Sequence, residues 1–104
     1  MAKYNPNKIP YIQQDAHLEN FCEALVKLKT KEDLKDFLKD LMNRQERIMF
    51  IRRLQIAEYL IKGFTYSDIR KKLRVGENTI SRVARWLNFG RNGYKKILEK
   101  KIKR

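Results

Sequence analysis

Between Gly63 and Leu87 the chain reads Phe64-Thr65-Tyr66-Ser67-Asp68-Ile69-Arg70-Lys71-Lys72-Leu73-Arg74-Val75-Gly76-Glu77-Asn78-Thr79-Ile80-Ser81-Arg82-Val83, a run rich in side chains that hydrogen-bond or carry positive charge. Ile69 and Leu73 stand four residues apart, and Ile80, Val83, Ala84 and Leu87 recur at helical steps, so each set falls on one helix face. Thr65 followed by Asp68 reads as the cap and first-turn acid of a short helix, and Arg74 to Gly76 reads as a turn before a second helix. Arg74 stands where such turns often have glycine, and Arg70 where a small residue is frequent; Gly76 is the residue expected to supply the permissive backbone. The spacing resembles a helix-turn-helix, whose first helix braces across a nucleic-acid backbone while the leading residues of the second meet base edges in the major groove. Glu77, Asn78, Thr79, Ser81 and Arg82 occupy those leading, outward positions. Arginine can pair with guanine, asparagine with adenine, serine and threonine with either, and the threonine methyl can touch thymine. Ser67, Arg70, Lys71, Lys72 and Arg74, then Arg85, Arg91, Lys95 and Lys96, suit contacts to phosphate.

The charge supports that chemistry. The 104 residues hold 25 Lys and Arg against 12 Asp and Glu, a net charge of +13, which calls for a polyanionic partner. The excess is uneven: residues 65–104 hold 13 basic and 3 acidic side chains, net +10, whereas residues 1–64 hold 12 and 9, net +3. The field is therefore expected to be strongest around the segment that would read bases.

Several elements must position this segment. A chain of this length forms one domain with a modest core. Its 42% apolar and 36% charged residues exclude both the signature of disorder and that of a membrane protein. Both prolines, Pro6 and Pro10, lie in the first ten residues, so residues 1–14 read as an irregular arm. From Asp15 onward apolar residues recur at three- and four-residue steps, which predicts an all-α body. Leu18, Phe21, Cys22, Leu25 and Leu28 form a first stripe ending near Thr30. Thr30 with Asp33 then caps a second helix carrying Leu34, Phe37, Leu38 and Leu41. Asn43 with Glu46 opens a long third helix that runs to Lys62 and stops at Gly63. Ile48, Met49, Phe50, Ile51, Leu54, Ile56, Ala57, Tyr59, Leu60 and Ile61 cover more of its circumference than one face needs, placing it centrally or in an interface. Trp86, Phe89 and Tyr94 are expected to anchor a helix junction, and Ile97, Leu98 and Ile102 to dock a final helix between Lys95 and Arg104.

Other chemistry finds no support. His17 is the single histidine and lacks partners at metal-ligand spacing. Cys22, the single cysteine, excludes an internal disulfide and, on its apolar stripe, reads as a buried small hydrophobe. Asp33, Asp36 and Asp40 alternate with Lys31, Lys35 and Lys39, a solvated helix face rather than a carboxylate cluster. No phosphate-cradling glycine loop or nucleophile elbow occurs, so no catalytic, metal or cofactor site is expected. The first fourteen residues lack the apolar run of a secretory signal and no stretch nears the roughly 20 apolar residues of a membrane span, so a cytoplasmic protein without membrane attachment is expected.

The ordered combination of the long helix, Arg44-Gln45-Glu46-Arg47 through Arg52-Arg53-Leu54-Gln55-Ile56-Ala57-Glu58-Tyr59-Leu60-Ile61-Lys62-Gly63, and the reader ending Asn78-Thr79-Ile80-Ser81-Arg82 resembles the tryptophan repressor superfamily, more closely its YerC/YecD-like branch. The resemblance covers residues 15–104 and implies a six-helix, all-α chain forming an intertwined homodimer with two helix-turn-helix heads. It places Arg53 and Arg82 where the repressor packs two arginines against its corepressor indole. The repressor then has a glycine that makes room for the ligand, where this chain has Val83, so tryptophan is not expected as corepressor. Arg53 and Arg82 remain suited to DNA phosphate or another small anion.

The reading that unites these features is a homodimeric regulator, expected to be a repressor, that binds double-stranded DNA by helix-turn-helix heads at about residues 65–87. Two alternatives share its charge. One is an RNA-binding or ribosome-associated protein, which would expose Trp86 or Phe89; the other is an interaction module for an acidic protein.

Overall fold

The computed structural model describes residue 7 and residues 9–102. Among them lie six helices and no strand: α1 (Tyr11–Leu25), α2 (Lys31–Leu41), α3 (Arg44–Ile61), α4 (Tyr66–Leu73), α5 (Glu77–Phe89) and α6 (Gly93–Ile102). The chain divides into two compact units, residues 1–41 and residues 42–104.

In the first unit, α1 begins four residues ahead of the expected Asp15, so positions 11–14 of the anticipated arm are helical. Pro10 precedes the helix in extended backbone, its carbonyl accepts from the Gln14 amide at 3.0 Å, and the Gln14 side chain donates to the Ile9 carbonyl at 2.6 Å. The proline ring fixes φ near the value this start requires, which explains why a proline here opens a helix. Residues 1–6 and 8 of the expected arm, Pro6 among them, lie outside the described residues. The helix ends at Leu25, short of Thr30, in tight turns whose amides at Lys27 and Leu28 return to Ala24 and Leu25. Thr30 caps α2 as expected, its hydroxyl accepting from the Asp33 amide at 3.0 Å.

No residue of α1 or α2 is buried. Leu18, Phe21, Leu34 and Leu41 are exposed, while Leu25, Phe37 and Leu38 are half-buried. Cys22 is exposed as well, contrary to the buried thiol its stripe suggested. Periodicity located the apolar face but not its cover.

The second unit holds the core. Ile56 and Ala57 of α3, Ile69 of α4, Ile80 and Val83 of α5 and Leu98 of α6 form one buried cluster. Burying each large aliphatic side chain contributes about 1.5–3 kcal/mol. The long helix α3 starts with a reciprocal capping box, the Asn43 side chain accepting from the Glu46 amide and the Glu46 carboxylate from the Asn43 amide, both at 2.9 Å. It ends as anticipated at Gly63, whose φ of +90° is reached without strain only by glycine. The Gly63 amide returns to Leu60 and the Phe64 amide to Tyr59, and the Phe64 ring packs on Tyr59 with centroids 4.9 Å apart. This is a Schellman stop with its hydrophobic contact, and it fixes the direction in which the chain leaves for α4.

Candidate nucleic-acid interface

Helix α4 is started by Thr65, whose hydroxyl accepts from the Asp68 amide at 3.1 Å while the Asp68 carboxylate accepts from the Thr65 amide. One turn face, Ile69, is fully buried, and Leu73 is half-buried against the same core. The helix stops at Arg74, which adopts the left-handed conformation with φ 54° and ψ 46°. Gly76, expected to provide that freedom, is instead extended at φ −75° and ψ 156° and serves as the cap residue of α5. An arginine in this region costs on the order of 1–2 kcal/mol relative to the right-handed form. Two contacts hold it: the Arg74 amide donates to the Arg70 carbonyl at 2.8 Å, and the Arg52 guanidinium of α3 donates to the Leu73 carbonyl. Arg52 thus ties the turn to the long helix, a role no local sequence pattern reveals.

Helix α5 divides cleanly. Ile80, Val83 and Leu87 are buried, and Ala84 is half-buried. Glu77, Asn78, Thr79, Ser81 and Arg82 are all exposed. The exposed polar groups occupy the first turn and a half because the helix presses its other side onto α3, α4 and α6. Ser67, Arg70, Lys71, Lys72 and Arg74 on α4 and its turn, Arg85 on α5, and Arg53 on α3 are exposed as well. Arg91 and Lys96 are exposed, and Lys95 is half-buried. Some of these cations have neighbours: Lys72 lies over the Phe64 ring at 5.6 Å, Arg53 over Phe50 at 5.5 Å, and Arg70 reaches Glu77 at 3.9 Å.

Arg53 and Arg82 line one cavity of about 360 Å³, together with Thr79, Val83, Trp86 and Tyr94. The Arg53 guanidinium is also directed to the Met49 sulfur at 3.6 Å. Val83 is only 3% exposed, its isopropyl group packed into the core.

The aromatic residues depart from expectation. Trp86 is 62% and Phe89 83% exposed, so neither anchors the junction between α5 and α6 within the chain. Tyr94 does pack on the core, and Leu98 docks α6 while Ile97 stays exposed. The tight turn after α5 depends on Gly90, where a Cβ would stand 2.3 Å from the Trp86 carbonyl oxygen. Positions 103 and 104 of the basic tail lie outside the described residues. Among the described residues no His, Cys, Asp and Glu cluster of metal-binding kind occurs, and no helix is long and apolar enough to cross a membrane.

The family model for Trp repressor protein matches residues 16–102. The chain belongs to the Trp repressor protein family. The uncharacterized protein YerC of Bacillus subtilis is 32% identical over 83 residues, which cover 80% of each chain. Among solved structures, a crystal structure from Staphylococcus aureus described as a candidate Trp repressor superposes with a TM-score of 0.79 at 30% identity, covering 89% of this chain and 95% of that one. A TrpR-like protein from Eubacterium eligens gives 0.76 at 33% identity, covering 82% and 88%. The six-helix, strand-free architecture of the described residues is therefore that of the Trp repressor-like fold.

Proposed function

We propose that this Trp repressor family member is a sequence-specific double-stranded DNA-binding regulator, acting as a repressor in the cytoplasm rather than as an enzyme. The observation that carries the reading is the division of α5: Glu77, Asn78, Thr79, Ser81 and Arg82 open to solvent on a helix whose other side, at Ile80, Val83 and Leu87, is buried. A rigid helix edge bearing donors and acceptors is what base reading in the major groove requires. Ser67, Arg70, Lys71, Lys72, Arg74, Arg85 and Arg53 would hold phosphate around it. The active species is a homodimer, a reading supported by apolar side chains that one chain leaves uncovered: Leu18 and Phe21 of α1, Leu34 of α2, and Phe50 and Ile51 of α3. Two heads then meet half-sites about 34–36 Å apart.

The test separates reading from anchoring. Arg82→Ala is expected to relax base preference at a cost of about 1–3 kcal/mol, while Lys72→Ala weakens all sequences alike and flattens the salt slope by about one unit. Identical behaviour of the two variants in gel-shift titrations would remove the distinction. Tryptophan is not the effector in this reading, because buried Val83 lines the cavity beside Arg53 and Arg82. Calorimetry is expected to show no saturable micromolar binding of L-tryptophan, and such binding would refute that part.

The exposure of Trp86 and Phe89 favours a second reading, RNA or single-strand binding by base stacking. Competition by single-stranded and A-form nucleic acid against duplex DNA distinguishes them, because the first reading predicts that duplex DNA wins.

A further inference from the structure

We propose that Glu77, held by Arg70 across the turn, penalises contact with generic duplex DNA and so sets how sharply the reader separates its own site from other sequences. This inference rests on the DNA-reading assignment above. Arg70 belongs to the last turn of α4 and Glu77 to the first turn of α5, and their side chains approach to 3.9 Å across the bend that contains left-handed Arg74. Of the three acidic residues between 65 and 104, Asp68 is turned back onto its own helix by the capping box and Glu99 belongs to α6. Glu77 is therefore the carboxylate on the reading edge.

The Arg70 and Glu77 side chains are 51% and 65% exposed, so their attraction is weak and open to exchange. A DNA phosphate competes for the same guanidinium through a charge-assisted hydrogen bond. Once Arg70 turns to phosphate, the Glu77 carboxylate faces a polyanion without its partner. At a base edge that offers a donor, the exocyclic amine of cytosine or, beside its N7 acceptor, that of adenine, the carboxylate is satisfied. Against the acceptor edges of guanine and thymine it meets lone pairs and phosphate charge and is repelled. The free energy lost is greater on wrong sequences than on the right one, and that difference is specificity. Arg70 is in this account a positioning residue, since in the free protein it holds the carboxylate at the front of α5.

The experiment measures wild type, Glu77→Gln, Arg70→Ala and the double variant against two duplexes over a salt series. One duplex is selected from a random pool by the wild-type chain, and the other is the unselected pool. Removing the carboxylate is expected to tighten binding to the unselected pool by about five-fold near 0.1 M salt and to steepen its salt slope by about one unit. The ratio of selected to unselected affinity should then fall about ten-fold, with the lost preference at one base position of each half-site. Arg70→Ala should cost more of the salt slope in the Glu77→Gln background than in the wild type, where the carboxylate already holds part of that charge. Weaker binding of Glu77→Gln to the unselected pool, an unchanged affinity ratio, or equal Arg70→Ala effects in both backgrounds would each overturn the inference alone. A wild-type chain that selects no duplex from the pool would instead overturn the DNA-reading assignment, and this inference with it. A contribution confined to bracing the turn would shift melting temperature and leave base preference and salt slope in place, which also refutes it.

Discussion

Raising salt from about 50 to about 200 mM is expected to weaken duplex binding by roughly 10³–10⁵, provided two chains together neutralise about 6–10 phosphates. The exposed cations supply that number. Each chain presents Arg70, Lys71, Lys72, Arg74, Arg82 and Arg85 to solvent on α4, α5 and the turn between them. They reside in residues 65–104, whose net charge is +10, so the field and the proposed reading edge coincide. The free energy comes mainly from counterions released as these side chains replace them at phosphate, and excess salt cancels that gain. Fluorescence anisotropy of a labelled duplex gives the dependence as a log–log slope. A slope near zero would show that phosphate neutralisation is not the source of affinity.

Replacing Ile80 by alanine is expected to cost about 2–5 kcal/mol, through lost transfer free energy and the cavity left behind. Ile80 has no solvent exposure and belongs to the cluster that joins α3, α4, α5 and α6 through Ile56, Ile69, Val83 and Leu98. A loss of that size is a large share of the about 5–15 kcal/mol that stabilises an ordinary domain. Helix α5 would lose its footing on α3 with it, and under the proposed function duplex binding should fall in parallel. Ser81→Ala, one residue on and exposed, supplies the control, with an expected stability change within about 0.5 kcal/mol. Urea denaturation measures both. Similar losses for the two variants would mean that α5 faces the other way.

The capping residues were readable from the chain because each works within a few residues of itself. Asn43 with Glu46 and Thr65 with Asp68 form both bonds of the box their spacing implied, Thr30 with Asp33 forms the hydroxyl-to-amide half of it, and Gly63 closes α3. The helical period likewise assigned Ile69 to the inner side of α4 and Ile80, Val83 and Leu87 to the inner side of α5. Where the sequence misled, the missing information was non-local. Gly76 looked like the flexible residue of the turn because glycine lacks a side chain, yet the left-handed position fell to Arg74. The Arg52 clamp on the Leu73 carbonyl, 21 residues away in sequence, supports that turn. Cys22, Trp86 and Phe89 resembled core residues by type and are exposed, since an apolar residue is covered only if another element arrives to cover it.

Composition, period and caps were enough to establish a basic, all-helical chain and the sides of α4 and α5 that turn inward, because these depend on charge count and on contacts within one or two helical turns. Which residue of the turn bears the strain, the meeting of Arg53 and Arg82 at one cavity, and the approach of Arg70 to Glu77 emerged only from the packed chain. Each depends on where α3, α4 and α5 come to rest against one another, and that is set by the buried cluster around Ile56, Ile69 and Ile80 rather than by any residue's immediate neighbours.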